Sequence, residues 1–246
     1  MTHFVYSYVY PKNKDERWEL LYSIRSVYKN YDGEFDITII GDIPDWINRE
    51  EVRCIDYDNS DIKYKEARLN DKLIFASTLY NEFVTIHDDQ YMFNKVKLSD
   101  IKNTRYRVKR HSHYLEYDYK LSNFESRQIA TSRLCKELGV SWTYDYSTHT
   151  PSYVKKSIID KVLSKTVLVK EDDRCPIFEN IYYPFTDITP IKIDKAYLSI
   201  INGLTDQEEV HKDSLFLNHS DRGIRKRPEI KEILTKKFNE KCLAEM

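Results

Sequence analysis

The order of apolar and polar residues in the first third of the chain predicts alternating strands and helices. Residues His3 to Tyr10 and Phe35 to Gly41 form β-rich runs, and the second is nearly continuous in apolar side chains. Such runs are typical of strands buried on both faces. Arg17 to Asn30 and Lys63 to Tyr80 repeat apolar residues at helical spacing, and Glu82 to Ile86 predicts a further strand. This alternation predicts an α/β fold with an open, mostly parallel sheet flanked by helices.

The second half of the chain has a less regular pattern. Phe124 to Leu138 predicts a helix that ends at Gly139. Thr150-Pro151 has the residues of a helix start, with threonine as N-cap and proline in the first turn. Leu215 to Asn218 predicts a short strand, and Pro228 begins a closing helix. The residues expected to face inward from this closing segment are Ile230, Ile233, Phe238 and Cys242.

The composition excludes several classes of protein. The 246 residues include 39 Lys and Arg against 40 Asp and Glu, so the net charge of −1 gives no overall attraction to nucleic acid. No P-loop or dinucleotide-binding glycine motif occurs among the 5 glycines. No apolar run approaches the roughly 20 residues that span a bilayer. The 4 cysteines are widely separated, which favours a reducing compartment and predicts a cytoplasmic protein.

The strongest chemical signal is the segment FVTIHDDQYMF, in which Asp88 and Asp89 follow a predicted buried strand. Ligands of open α/β sheets bind beyond the carboxyl ends of the strands. Two adjacent carboxylates repel each other, and a hard divalent cation such as Mg²⁺ or Mn²⁺ relieves that repulsion. Such a cation can bind a diphosphate and neutralise its charge. Taken alone, the segment fits a solvated acidic turn equally well.

The segment DYSTHTPSY places His149 immediately before the predicted helix start. The positive end of a helix disfavours an imidazolium, so His149 should stay neutral and could act as a general base near pH 7. A histidine that only hydrogen-bonds a turn is the simpler interpretation of this segment by itself.

Other candidates lie on a second strand end and on the helix before the acid pair. The segment SLFLNHSDRG carries Asn218 and His219, which have ligand capacity, and Arg222, which could pair with phosphate. Arg68 and Lys72 lie one helical turn apart and could also reach a nucleotide phosphate. Each of these residues also fits a solvated or hydrogen-bonded surface position.

The order of four segments resembles that of the Stealth family of sugar-phosphate transferases. The segments are RWELLYSIRSVYKNYDGEFDITIIGDIPDWI, FVTIHDDQYMF, STHTPSYVKKSIIDKVL and SLFLNHSDRG, and they span most of the chain. The chain departs from the family pattern at His87, where the family has Asn, and at His219, where it has Asp. A histidine after a late strand instead resembles the third metal ligand of GT-A glycosyltransferases.

The resemblance implies a fold and roles for individual residues. It implies a single GT-A-like domain, with residues 1–121 as the nucleotide-sugar-binding half and 122–246 as the acceptor and closing half. The roles that the resemblance implies are metal binding for Asp88 and Asp89, general base for His149, phosphate binding for Arg174, nucleotide binding for Asn218, and a third metal contact for His219.

We therefore expect a transferase dependent on Mn²⁺ or Mg²⁺ that moves a sugar or a sugar-1-phosphate from a nucleotide sugar to a hydroxyl. A UDP-sugar is the expected donor and a glycan the expected acceptor. One alternative is a phage-type glycosyltransferase that acts on hydroxymethylated DNA bases, with the basic segment 104–114 on the DNA. Another is a non-catalytic nucleotide- or carbohydrate-binding protein, motivated by the changes at His87 and His219.

Overall fold

A computed structural model describes residues 1–11, 18–103, 105–106, 108–109, 123–140, 144–162, 175–203 and 208–246. Arg174 and most of the basic segment 104–114 lie outside these residues, as does the predicted boundary between the two halves of the chain. None of the helices in the described ranges combines the length and the apolar character that a bilayer crossing requires.

Strands and helices alternate through the first third of the chain, as the hydrophobic pattern predicts. The strands are β1 (Thr2–Tyr8), β2 (Phe35–Gly41), β3 (Val52–Ile55), β4 (Glu82–Ile86), β5 (Gln90–Met92), β6 (Arg105–Tyr106), β7 (Val108–Lys109), β8 (Tyr144–Asp145), β9 (Ser152–Lys155), β10 (Ile191–Lys192), β11 (Leu198–Ile201) and β12 (Phe216–His219). The helices are α1 (Trp18–Asn30), α2 (Lys65–Leu79), α3 (Leu98–Lys102), α4 (Asn123–Glu137), α5 (Lys156–Val162), α6 (Phe178–Tyr182), α7 (Asp221–Lys226) and α8 (Glu229–Lys237).

The central sheet has the strand order β3-β2-β1-β4-β9. The strands β1 to β4 are parallel, so their carboxyl ends meet at one edge of the sheet. The strand β9 is antiparallel to β4 and closes one side. The predicted mostly parallel α/β fold is therefore confirmed.

Side chains of β1 point alternately to the two faces of this sheet, and each face is covered by a helix. Phe4 and Tyr6 pack into the same buried cluster as Ile24 of α1. Val5 packs into a second cluster with Leu73 of α2. Because each fully buried side chain of this kind contributes roughly 1.5–3 kcal/mol, the helices are held to the sheet mainly by these contacts.

A smaller sheet, with the order β11-β12-β5, continues from the central one. The strand β12 is parallel to β11 and antiparallel to β5. Tyr91 of β5 and Leu217 of β12 pack against Leu234 and Phe238 from the end of the chain. The turn between β4 and β5 therefore connects the two sheets.

Gly41 ends β2 in a conformation that favours glycine, with φ of 121°. A Cβ atom built there would lie 2.1 Å from the Tyr8 carbonyl oxygen and 2.6 Å from Cε of Lys72. Directly after it, Asp42 Oδ2 accepts a hydrogen bond from the Tyr10 amide at 2.5 Å. This close approach places Asp42 and Lys72 together at the carboxyl edge of the sheet.

Two sequence-based predictions are wrong. Ser152–Lys155 is a strand rather than the first turn of a helix, and α5 begins only at Lys156. The edge of β4 offers backbone partners to this segment, and Pro151 is tolerated next to an edge strand because it needs no partner for an N–H. In the closing helix Ile233 is 36% exposed, and Leu234 occupies the inward position instead.

Candidate active site

A cavity of about 310 Å³ opens at the carboxyl edge of the central sheet, beside the ends of β1 and β4. It is built from elements that are far apart in the sequence. Its polar lining includes His87, Asp88 and Asp89 after β4, Lys65 from α2, Arg127 from α4, His149 before β9, and Glu179 from α6. The structure therefore brings the predicted acid pair and the predicted base histidine into one cavity.

Asp88 and Asp89 lie half-buried in the tight turn between β4 and β5. The turn is closed by hydrogen bonds from the Gln90 amide to the His87 carbonyl oxygen and from the His87 amide to Gln90 Oε1, each at 3.2 Å. Burial raises the pKa of both aspartates, and the charge of Asp88 raises the pKa of Asp89 further. Lys65 acts in the opposite direction without cancelling these effects.

The cavity also carries basic groups that face the acid pair. Burial lowers the pKa of His87 to about 4, and the charges of His149, Lys65 and Arg127 lower it as well. His87 is therefore a neutral imidazole near pH 7. Lys65 and Arg127 line the same cavity, so it combines the basic side chains that phosphate prefers with the carboxylates that a metal prefers.

His149 adopts a left-handed backbone conformation, with φ of 53°, and its side chain is exposed. Its carbonyl oxygen accepts a hydrogen bond from Asn218 Nδ2 at 2.6 Å. Because β9 rather than a helix follows it, the predicted effect of a helix end on His149 is wrong. The structure nevertheless presents this imidazole to the cavity of the acid pair.

His219 lies inside an aromatic cluster and is 3% exposed. Its ring stacks between Trp18 and Tyr91, with centroids 5.6 Å from each. Nε2 is 2.9 Å from the Tyr91 hydroxyl and 3.8 Å from Glu19 Oε1. Burial lowers the pKa of His219 to about 4. Nδ1 is buried and has no hydrogen-bond partner in the part of the chain that the structure describes.

The acid pair fits a hard divalent cation, whereas a complete three-residue site is not assembled. Among the described residues, no three His, Cys, Asp or Glu side chains converge as a metal site. The charge of Asp221 raises the pKa of Asp88, Asp89 and His219, so these three groups share one electrostatic environment. His219 does not line the cavity of the acid pair, so its predicted metal contact, for which the unpartnered Nδ1 is the available atom, stays a prediction.

Asn218 and Arg222 lie outside the lining of the cavity. Asn218 is 2% exposed, and its amide nitrogen donates to the carbonyl oxygens of His149 and Thr148. Arg222 is exposed on the first turn of α7. Arg174 lies outside the described residues, so its predicted contact with phosphate stays a prediction.

Arg68 and Lys72 line a second cavity of about 340 Å³, which shares Val9 with the first. Asp42 and Asp56 also line it, as residues that follow the ends of β2 and β3. The Arg68 guanidinium is held by the carbonyl oxygens of two loop residues, at 2.5 and 2.9 Å. Lys72 is 3% exposed, and burial lowers its pKa. The two basic residues therefore lie beside the acid pair's cavity rather than in it.

The sequence analysis missed several residues of the cavity, among them Lys65, Arg127 and Glu179. Lys65 precedes Arg68 by one turn, so helical spacing could have indicated it. Arg127 and Glu179 come from α4 and α6, whose patterns carry no sign of chemistry. Burial raises the pKa of Glu179, while the charge of Arg127 opposes this effect. Only the packing of α4 and α6 against the sheet brings these two side chains to the site.

Comparisons with known proteins define the fold. No family model matches the sequence, and no curated protein matches it. The structure is similar to that of the galactosyltransferase LgtC, solved with donor and acceptor sugar analogs, with a TM-score of 0.53 at 8% identity over 98% of both chains. It is also similar to the bifunctional glycosyltransferase WbbM in its apo form, with a TM-score of 0.50 at 12% identity over 88% of this chain.

These similarities show a GT-A-type glycosyltransferase fold, and at such low identity they show the fold alone. The chain spans 45% of the WbbM chain and 98% of LgtC. The expected GT-A-like core is thus confirmed, whereas the comparisons do not distinguish the Stealth family from other proteins with this fold.

Proposed function

We propose that the chain is a metal-dependent transferase that moves a sugar or a sugar-1-phosphate from a nucleotide sugar, most simply a UDP-sugar, to an acceptor hydroxyl, most simply that of a glycan. The observation that supports it most is the half-buried Asp88–Asp89 pair in a cavity at the carboxyl edge of a parallel sheet. Their raised pKa values mean that the cavity disfavours two bare negative charges. A bound divalent cation removes that cost.

In this proposal Asp88 and Asp89 hold Mn²⁺ or Mg²⁺, and His219 contributes through Nδ1. When bound, the ion would supply positive charge that neutralises the donor diphosphate. Lys65 and Arg127 add positive charge on other walls of the same cavity. Arg174 and Arg222 keep their predicted role as further phosphate contacts.

His149 would accept the proton of the acceptor hydroxyl, because its imidazole is exposed at the cavity, whereas the lowered pKa of His87, about 4, makes that imidazole a weak base. If the acceptor oxygen bonds to the anomeric carbon, the bond from that carbon to the diphosphate breaks and UDP leaves. If the oxygen bonds to phosphorus, the diphosphate anhydride breaks and UMP leaves. The Stealth resemblance favours the second outcome, and His219 is the departure that keeps the first open.

The second cavity would hold the nucleoside end of the donor. It adjoins the first at Val9 and offers carboxylates from Asp42 and Asp56 to sugar hydroxyls or base N–H groups. Lys72 gives it a buried ammonium group that could donate to a base carbonyl or a phosphate oxygen. Asn218 would act on the first cavity, through the backbone of His149 rather than by contact with the donor. A cytoplasmic location stays part of the proposal, on the ground that the 4 cysteines are widely separated in the sequence.

Product analysis tests the proposal. The protein is incubated with a panel of UDP-sugars and Mn²⁺, with and without EDTA, and the released nucleotides are separated. We expect UMP or UDP only when Mn²⁺ is present, and a loss of about 100-fold or more in Asp89→Asn. Asp213→Asn removes one exposed carboxylate far along the chain and should leave the rate unchanged. Release that persists in EDTA and in Asp89→Asn contradicts the metal role.

The same assay separates the two alternatives. Binding of a UDP-sugar without any turnover in the wild-type protein would indicate a non-catalytic binding protein. Transfer to hydroxymethylated DNA, together with duplex binding that weakens steeply with salt, would indicate a DNA glycosyltransferase.

A further inference from the structure

We propose that Asn218 is a positioning residue that holds His149 in the orientation needed for proton transfer. This inference rests on the proposed function, in which His149 is the base. Asn218 is a buried residue of the smaller sheet, and in this inference it controls the position of a side chain in the cavity of the central sheet.

The contact itself is direct. Asn218 Nδ2 donates to the His149 carbonyl oxygen at 2.6 Å and lies 3.4 Å from that of Thr148. Asn218 is only 2% exposed, so water cannot readily take the place of its amide group. Without this donor, the two carbonyl groups would lose a hydrogen-bond partner.

The residues before His149 are held by a buried polar network. Asp145 accepts hydrogen bonds from the Ser147 amide at 3.1 Å, from Asn180 Nδ2 at 3.2 Å and from Gln128 Nε2 at 3.3 Å. Asn180 Oδ1 in turn accepts from the Tyr146 amide at 2.5 Å. The chain that enters residue 149 therefore has little freedom.

The residues after His149 are held as well. The side chains of Thr148 and Thr150 bond across His149 at 2.8 Å. Proline at position 151 restricts Thr150 to extended conformations, and Ser152 is paired with Thr85 of the central sheet. The peptide of His149 must turn between two fixed ends, and its left-handed φ of 53° is the result.

A left-handed conformation is strained for histidine and persists only where the surroundings impose it. Asn218 is the contact that fixes the carbonyl of the strained residue itself. Its removal should let the His149 peptide rotate toward an ordinary conformation, which moves the imidazole away from its place beside His87. Proton transfer depends steeply on such displacements.

The test compares Asn218→Ala with wild type for metal-dependent transfer and donor binding. We expect kcat to fall by about 10- to 100-fold, while the KM for the UDP-sugar stays within about twofold. In a His149→Ala background, Asn218→Ala should cause no further loss, because it acts through the missing imidazole. A loss of equal size in both backgrounds, or a rise in KM alone, overturns the proposal.

Asn94→Ala is the matched control, since Asn94 Nδ2 also bridges two backbone carbonyl oxygens, of Lys212 and Ser214, at 2.7 and 2.8 Å. It should leave kcat unchanged. Should Asn218→Ala not fold, the nearly isosteric Asn218→Leu removes the donor with less change in packing.

Hydrogen exchange of the amides of residues 146–150 gives a readout that needs no activity. Faster exchange in Asn218→Ala supports the positioning role, and unchanged exchange refutes it. An absence of turnover in the wild-type protein would instead refute the proposed function, with the exchange result still deciding whether Asn218 holds the segment.

Discussion

The Tyr91 hydroxyl and His219 Nε2 lie 2.9 Å apart inside a buried aromatic cluster, and this contact joins β5 to β12. Tyr91 comes two residues after the acid pair, and neither side chain is accessible to solvent to any useful degree. The contact therefore links the turn that carries the acid pair to β12, the strand that carries Asn218 and His219.

Tyr91→Phe should destabilise the fold, because it leaves a buried imidazole nitrogen without its partner. We expect the free energy of unfolding to fall by about 1–3 kcal/mol, measured by urea denaturation. Tyr10→Phe is the control, since that hydroxyl donates to a carbonyl oxygen at 2.9 Å in a half-buried position where water can replace it. Equal losses in the two variants would show that the Tyr91–His219 contact has no special weight.

Replacing His149 by glycine or by alanine separates backbone strain from chemistry. Both variants lack the imidazole and should lose transfer equally. His149→Gly should be the more stable by about 1 kcal/mol, because glycine adopts a positive φ without the Cβ penalty. Gly139→Ala, at φ of 74° with no atom within 4 Å of the added Cβ, should lose a similar amount. If His149→Ala proves as stable as His149→Gly in urea, residue 149 is not strained.

Gly41→Ala should be far more damaging than the change at Gly139. The new methyl group would lie 2.1 Å from the Tyr8 carbonyl oxygen, which belongs to the neighbouring strand and cannot move without breaking the sheet edge. We expect a loss of about 3 kcal/mol or more in the free energy of unfolding. Thermal unfolding of both glycine variants side by side measures the difference, and similar melting temperatures would contradict the close approach of β1 and β2.

Lys72→Met should raise stability and lower donor affinity at the same time. Burial lowers the pKa of the Lys72 ammonium group more than the charges of Asp42, Asp71 and Asp58 raise it, so its replacement by an apolar side chain should stabilise the fold by about 1–2 kcal/mol. If Lys72 contacts the donor, the Kd for UDP with Mn²⁺, measured by calorimetry, should rise about tenfold or more. Lys136→Met, on the exposed face of α4, should change neither quantity. Unchanged affinity for UDP in Lys72→Met would show that this lysine does not contact the donor.

The thiol of Cys135 should make stability depend on alkaline pH. Burial raises the pKa of Cys135 to about 11, against about 8.5 in an unfolded chain. A raised folded pKa gives stability that is complete below the unfolded value and is lost as pH rises through the folded value. Between pH 8.5 and 11 the wild type should therefore lose roughly 3 kcal/mol more than Cys135→Ala. Urea denaturation across this range checks it, and parallel pH curves would refute it.

The sequence predicts the central sheet and the acid pair because both depend on local pattern. The limits predicted for β2 and β4 agree with the structure, because a short and nearly continuous apolar run is typical of a strand buried on both faces. The place of Asp88 and Asp89 follows directly, because residues after a parallel strand lie at the ligand-binding edge.

The rest of the cavity depends on packing that no local pattern records. Arg127 and Glu179 reach the acid pair only because α4 and α6 pack together against the sheet. The pair Thr150-Pro151 can precede either a helix or an edge strand, so the local sequence does not distinguish the two. A strand forms here because β4 offers it backbone hydrogen-bond partners. Asn218 was predicted to touch nucleotide from its strand end, while the structure turns its amide toward the backbone of His149.

The connector between β4 and β5 consists only of His87, Asp88 and Asp89. Adding or deleting one residue there would shift β5 by one position and turn its side chains to the opposite face. Tyr91 would then leave His219, and the carboxylates would leave their cavity in the same event. The length of this loop is thus constrained as strictly as its chemistry, and grafts or permutations of the protein must cut elsewhere.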